Sequence, residues 1–198
     1  MSKGEDTRKR IVAEAAAIFN QRGFEGASLQ ALMDATGLEK GGIYRHFTSK
    51  EEVASEAFDY AWNAAKQARQ HDLDAIPNRV DRLKQWIANF VERRSPVPGG
   101  CPLLNAAIDS DDGNPVLREK ARAALRDWRK RLQAVIGQGI EAGEIKRKVD
   151  PQKLATLVIS SLEGALMMSR LEKNSEALLA IQSYLDTYLE NEVRRRKA

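Results

Sequence analysis

The 198-residue sequence predicts an all-α chain. Three observations point there. Apolar residues recur every three or four positions in one segment after another, the period of a helix with one buried face. Nowhere does a run alternate apolar and polar residues as a half-buried strand would. Between the periodic segments stand glycine, proline or a Ser/Asn/Asp cap residue, the punctuation of helix ends.

Taken in order, Ile11, Ala15, Ile18 and Phe19 stripe a first helix over about Thr7 to Arg22. Gly23 stops it, and Phe24 serves as an anchor ahead of a turn at Gly26. Ser28 caps a second short helix running through Ala35, "ATGL" turns on Gly37, and a third short helix covers about Lys40 to Phe47. Ser49, with Glu52 three residues on, forms a capping box for a fourth helix reaching about Gln70. "HDLDAIPNR" connects to a fifth helix striped by Val80, Leu83, Ile87, Phe90 and Val91. The strongest break is "SPVPGGCP", residues 95–102, with three prolines and two glycines. A short helix from Pro102 to about Ser110 follows, then the "DDGNP" turn and a long helix over about Val116 to Ala142. After "AGEIKRKVDP" come two long helices, about Gln152–Glu172 and Ser175–Arg195, apolar on more than one side. The total is about nine helices, without internal repeats.

Composition excludes several classes of function. A hydrophobic content of 42% with 30% charged residues is that of an ordinary globular chain. No uninterrupted run of about 18 apolar residues is present, so no membrane span is expected. The N-terminal apolar stretch is interrupted by Glu14 and spaced as a helix, which argues against a signal peptide and for a cytoplasmic location. Cys101 is the single cysteine; it permits no internal disulfide and cannot alone build a zinc site. HExxH, Walker and GxSxG patterns are absent, and "GQGIEAG" at 137–143 has the wrong context and spacing for a dinucleotide loop. The acidic turn of Asp109, Asp111 and Asp112 lacks the glycine and distal glutamate of a calcium loop. Two histidines, His46 and His71, are too few for a histidine-rich metal site. No catalytic residue, metal site or cofactor is expected.

Net charge is +4, yet residues 1–50 hold eight Lys and Arg against six Asp and Glu, a balance of only +2. A nucleic-acid role must therefore rest on where charges are placed. Two short helices joined at Gly37 and followed by a long one have helix-turn-helix geometry, with Leu32, Leu38 and Ile43 spaced to pack the pair. Gly41 and Gly42 then stand out, because each glycine costs roughly 1 kcal/mol against alanine in a helix.

The run "FEGASLQALMDATGLEKGGIYRHFTSKEEV" resembles the TetR/AcrR family of bacterial transcription regulators. The resemblance is carried by Phe19 and Gly23-Phe24, by Ser28, by Thr36-Gly37-Leu38-Glu39-Lys40-Gly41, and by Ile43-Tyr44-Arg45-His46-Phe47 with Ser49-Lys50-Glu51. It spans about residues 8–55. It implies a three-helix DNA-binding domain over residues 1–50 and a helical ligand-responsive and dimerisation domain over 51–198. On this resemblance Ser28, Lys40, Tyr44, His46 and Lys50 match phosphate-contacting positions, while Gly42 and Arg45 lie on the face toward base edges; Gly41 matches the family's glycine. Bare glycines at the leading end of a short recognition helix let its backbone approach the groove. Gly42 departs from the family's commoner Ser, Thr or Ala, Glu39 from its usual Ser or Thr cap, and Met33 from its usual alanine. A plain reading stays open for several residues: Arg45 as a solvated arginine, Tyr44 as a core aromatic, His46 as packing against the fourth helix.

The resemblance further implies a homodimer reading a palindromic operator in double-stranded DNA, through a four-helix bundle of the last two helices. Candidate interface residues are Leu154, Leu157, Val158, Leu162 and Leu166, then Leu178, Ile181, Leu185, Tyr188 and Leu189; the alternative is that they form the monomer's own core. It also implies a small-molecule effector, of unknown identity, in the middle helices, where binding releases a repressor. Trp62, Trp86, Phe90, Leu104, Ile108, Trp128, Met167 and Met168 are candidates to line that cavity, or are plain core. Cys101, at a helix start ahead of Pro102, is either a thiol that senses reactive compounds or a small residue filling a cap. A helical adaptor without DNA binding is the competing class, and it leaves the clustering of Lys40, Tyr44, His46 and Lys50 unexplained.

Overall fold

A computed structural model describes residues 3–93 and 95–196. The order is α1 (Lys3–Gly26), α2 (Leu29–Thr36), α3 (Lys40–Tyr44), α4 (Lys50–Arg69), a 3-10 turn (Leu73–Ala75), α5 (Arg79–Glu92), α6 (Pro102–Ser110), α7 (Pro115–Glu141), α8 (Pro151–Glu172), α9 (Glu176–Tyr188) and a π turn (Leu189–Val193). Among the described residues there are nine α-helices and one isolated bridge, Ile145 to Arg194. The predicted all-helical fold stands.

Local chemistry sets the boundaries. Gly23 breaks α1 with φ 71 and ψ 177, although helical bonding resumes to Gly26. Ser28 caps α2 by accepting from the Ala31 N–H, and Gly37 ends it at φ 64, its N–H donating to the Met33 carbonyl. Asn78 and Asp150 cap α5 and α8 by the same side-chain device. Two predicted helices are shorter than their periodicity suggested. α3 ends at Tyr44 instead of Phe47, because the chain turns there to drive Phe47 into the core at 2% exposure. α9 ends at Tyr188 and widens into the π turn, which buries both Leu189 and Val193 before Arg194 extends to pair with Ile145.

The chain divides into two compact units, Met1–Lys66 with Ser95–Ala124 and Gln67–Arg94 with Leu125–Ala198. The first has a core of Ile11, Ala15, Leu32, Ile43, Phe47, Val53 and Ala57, with Val97 added from the loop before α6. The same loop is clasped to α1. Asn20 donates to the carbonyl of Pro98 at 2.8 Å, and Asn105 donates to the Asn20 carbonyl at 2.8 Å and to that of Gly99 at 2.9 Å. In the second unit α8 packs on α9 and α5 on α9, with Trp86, Trp128, Leu132, Ile136, Leu162 and Leu185 among the buried residues. α8 is long and apolar enough to cross a bilayer by length and composition, which the sequence reading did not expect; 44% of its apolar window is buried inside the chain.

Gly99 is held at φ 113, and a methyl group there would sit 2.6 Å from the Asn20 carbonyl oxygen. Left-handed backbone and a main-chain clash combine, so Gly99→Ala is expected to cost about 2 kcal/mol or more. A thermal midpoint in the variant within a degree of wild type would contradict this.

Candidate nucleic-acid interface

α3 divides its residues between two sides. Ile43 is 1% exposed and, with Phe47 beyond the helix, faces the core. Lys40, Gly41, Tyr44 and Arg45 are exposed, which one turn of helix accounts for, since they fall at i, i+1, i+4 and i+5. Tyr44 is therefore not a core aromatic. His46 is half-buried; Gly42 is partly covered by Leu38, which a Cβ at Gly42 would meet at 3.4 Å. Ser28 is exposed at the start of α2, its hydroxyl oxygen 3.1 Å from the Ala31 amide. Lys50 is half-buried, and its ammonium lies 4.4 Å over the Phe24 ring, which stacks on Phe19 at 6.2 Å. Glu39 occupies the N-cap of α3 but makes no side-chain cap bond, so the departure from Ser or Thr leaves this helix without the hydroxyl cap that α2 has.

The start of α4 has a modified capping box. Ser49 accepts from the Glu52 N–H at 3.1 Å, but the returning carboxylate of Glu52 takes the Thr48 N–H at 2.6 Å and the Thr48 hydroxyl at 2.7 Å instead of the Ser49 amide. The other oxygen of Glu52 meets Arg8 at 2.7 Å. Arg8 also donates to Glu56 and to the backbone carbonyl of His46. Sequence reasoning missed Arg8, Phe24 and Asp109 as parts of this site. Asp109 of α6 accepts from the Phe24 N–H at 2.7 Å, a contact across 85 residues that no local pattern announces.

The effector candidates fall in both units. Trp62, Cys101, Leu104 and Ile108 belong to the first, and Trp86, Phe90, Trp128, Met167 and Met168 to the second. The structure brings Phe90 and Trp128 together, their rings stacked at 5.8 Å, with the buried Arg69 guanidinium over both at 4.5 and 4.7 Å. Arg69 was not foreseen. Trp62 and Trp86 are buried and Leu104 is half-buried, whereas Ile108, Met167 and Met168 are 64%, 47% and 53% exposed, the placement of surface residues. A cavity of about 40 Å³ in the first unit is lined by none of these candidates but by residues such as Phe19, Phe24, Phe58, Asn105 and Asp109. Cys101 caps α6 without a side-chain cap bond and is 1% exposed. Of the interface candidates, Leu154, Val158, Leu162, Leu178, Leu185 and Leu189 are buried in the chain's own core; Leu157 is exposed, and Leu166, Ile181 and Tyr188 are half-buried.

A helix-turn-helix whose second helix is anchored from below and presents cations, glycine and tyrosine outward defines a DNA-binding regulator. Residues 11–57 match the model of the bacterial regulatory proteins of the tetR family, and residues 79–185 match the tetracyclin repressor-like C-terminal domain. The chain belongs to the TetR family of transcriptional regulators. It is similar to the crystal structure of a TetR transcriptional regulator from Chloroflexus aurantiacus J-10-FL, with 44% identity, a TM-score of 0.94, and coverage of 99% of this chain and 100% of that one. It is 28% identical, over 86% of each chain, to the HTH-type transcriptional repressor DhaR of Mycobacterium sp. (strain GP1). The TetR family regulator CifR shares the fold at 24% identity and a TM-score of 0.79, over 92% of this chain and 95% of that one.

The Glu52 carboxyl has its pKa held down to about 2, first by the Thr48 amide and then by the Arg8 guanidinium. A carboxyl whose pKa falls on folding stabilises the fold above its unfolded value, and that stabilisation fades as pH drops through the folded value. Glu52→Gln is therefore expected to be less stable than wild type above pH 4.5 and to lose less on acidification between pH 4.5 and 2. Thermal midpoints taken across that window check it; parallel curves for the two proteins speak against it.

Proposed function

We propose that the chain is a homodimeric repressor that reads a palindromic operator through α3 and releases it when a small molecule binds the second unit. The observation that carries the reading is the exposed set Lys40, Gly41, Tyr44 and Arg45 above the buried Ile43. In this reading Lys40, Tyr44, His46, Lys50 and Ser28 fix register on phosphates, while Arg45 and the backbone at Gly41 and Gly42 approach base edges. The reading keeps residues 1–50 as the DNA-binding part and 51–198 as the part that dimerises and responds to ligand. A cysteine mutant of CifR is known in complex with 26-bp double-strand operator DNA, which supports the DNA target, and DhaR is named a repressor, which supports the sign of regulation.

The dimer interface is assigned to the apolar surface that α8 and α9 leave uncovered. Leu157, Ser161, Gly164, Met168 and Leu171 follow one another in steps of four and three along α8, with exposed Leu179 and Tyr184 on α9. The small residues in the middle allow close approach. For the effector, the Phe90–Trp128 stack with Arg69 is the favoured wall, and the Trp86 indole N–H, buried without an acceptor among the described residues, offers a ligand a hydrogen bond. A small molecule is favoured over a reactive compound because burial at 1% keeps the Cys101 thiol out of reach.

Gly41 supplies the sharpest test. It is not at positive φ, and a Cβ there would meet nothing within 4 Å. The fold gives no reason for glycine; an external surface does. Gly41→Ala is expected to raise stability by roughly 0.5–1 kcal/mol and to weaken operator binding, while Lys40→Ala weakens binding and lowers the salt slope by about one. Titrations of a selected duplex at several salt concentrations, beside thermal denaturation, separate the two effects. Wild-type affinity in both variants would remove α3 from the DNA surface. For the interface, Met168→Asp is expected to sediment as a folded monomer; a dimer unchanged in sedimentation velocity moves the interface elsewhere.

A further inference from the structure

A helix of five residues cannot hold its own direction. Nearly every backbone group in α3 is an end group, and helices below about 12 residues are marginal in isolation. Its own turn is closed by bonds of 2.8–3.2 Å from Gly42 and Ile43 to the Glu39 carbonyl and from Arg45 to that of Gly41. Leu38 locates the leading end and Ile43 the underside. The trailing end is located by Arg8 of α1. Its guanidinium donates to the backbone carbonyl of His46, to Glu52 at 2.7 Å and to Glu56, and its carbon lies 4.1 Å from the centre of the Phe47 ring. A single planar group thus ties the two residues that leave α3 to two successive turns of α4. Its charge is of the sign that suits the C-terminal end of a helix.

Resting on the reading of α3 as the recognition helix, we propose that Arg8 is a positioning residue for operator recognition: it sets the angle of α3 without touching DNA. Charge decides between that role and a direct phosphate contact. Arg8 faces two carboxylates, so its side of the site carries no surplus positive charge for a phosphate. Its fork also matches acceptors in different directions, which a lysine ammonium, a single point charge, cannot reproduce from one place. A binding constellation must be held within about 0.5 Å of its productive geometry by the groups that support it. Loss of the Arg8 fork is thus felt at the base edges before it is felt in the core.

The test uses a duplex that the wild-type dimer selects from a random-sequence pool, with an unselected random duplex as control. Arg8→Gln is expected to bind the selected duplex at least tenfold more weakly. Its affinity for the random duplex, its salt slope and its dimerisation should stay at wild-type values. Arg8→Lys should recover only part of the loss, and it carries the same comparison if the glutamine variant does not fold. Equal affinity of wild type and variants for the selected duplex would overturn the proposal. So would an equal fall on both duplexes with a shallower salt slope, which marks a phosphate contact. Failure of the wild-type protein to select any duplex would instead remove the reading of α3, and the role of Arg8 with it.

Discussion

The first unit is built around one constraint: the helix that the proposed reading sends into the groove, α3, is too short to stand by itself. Its five residues make one turn, and one turn repays almost none of the entropy of its own nucleation. Stability must come from below and from both ends. Ile43 and Phe47 supply the underside through burial in the first core. The Gly37 turn supplies the approach, and the Arg8 cluster supplies the exit. α1 and α4 are thus more than supports of a small core; they are the frame that makes a one-turn helix rigid.

The same frame extends into a segment far away in sequence. Val97 joins the first core, and the 98–100 loop and α6 are fastened to α1 through Asn20 and Asn105. Asp109 then holds the Phe24 amide, and the Phe24 ring lies beneath the Lys50 ammonium. In the proposed reading Lys50 is a phosphate contact, so a displacement of α6 reaches a DNA-facing charge through one hydrogen bond and one ring. Coupling of 1–3 kcal/mol is typical of allosteric proteins, and loss or misalignment of one charge-assisted bond is of that order.

The all-helical plan, the turn at Gly37 and the Ser28 cap were legible because they depend on neighbours three or four residues away. The capping box was legible only in outline: Ser49 takes the Glu52 amide as expected, but one carboxylate oxygen accepts from Thr48 and the other from Arg8, a partner 44 residues away. Arg8, Asp109 and Arg69 were invisible for one reason. Each acts on a partner distant in sequence, and a lone charged residue on a helix looks solvated until the fold supplies that partner. The apolar lists for the last helices raise a different difficulty. Periodicity names every apolar position, but only packing tells Leu162, spent on the chain's own core, from Met168, which faces outward.

The two adjacent glycines separate fold from function most cleanly. Gly37, Gly23 and Gly99 have backbones that a side chain would strain, so the fold itself requires them. Gly41 and Gly42 have ordinary helical backbones, and at Gly41 the space around a Cβ is empty. A chain optimised for stability alone would place alanine at position 41 and gain on both counts of backbone entropy and helix propensity. In the proposed reading, keeping glycine at the exposed Gly41 in a helix that already struggles to form leaves room for the groove to approach closely, while Gly42 lies partly under Leu38. Clamping at the far end by Arg8 then offsets what the near end gives up, and the weakness at one end and the reinforcement at the other belong to one design.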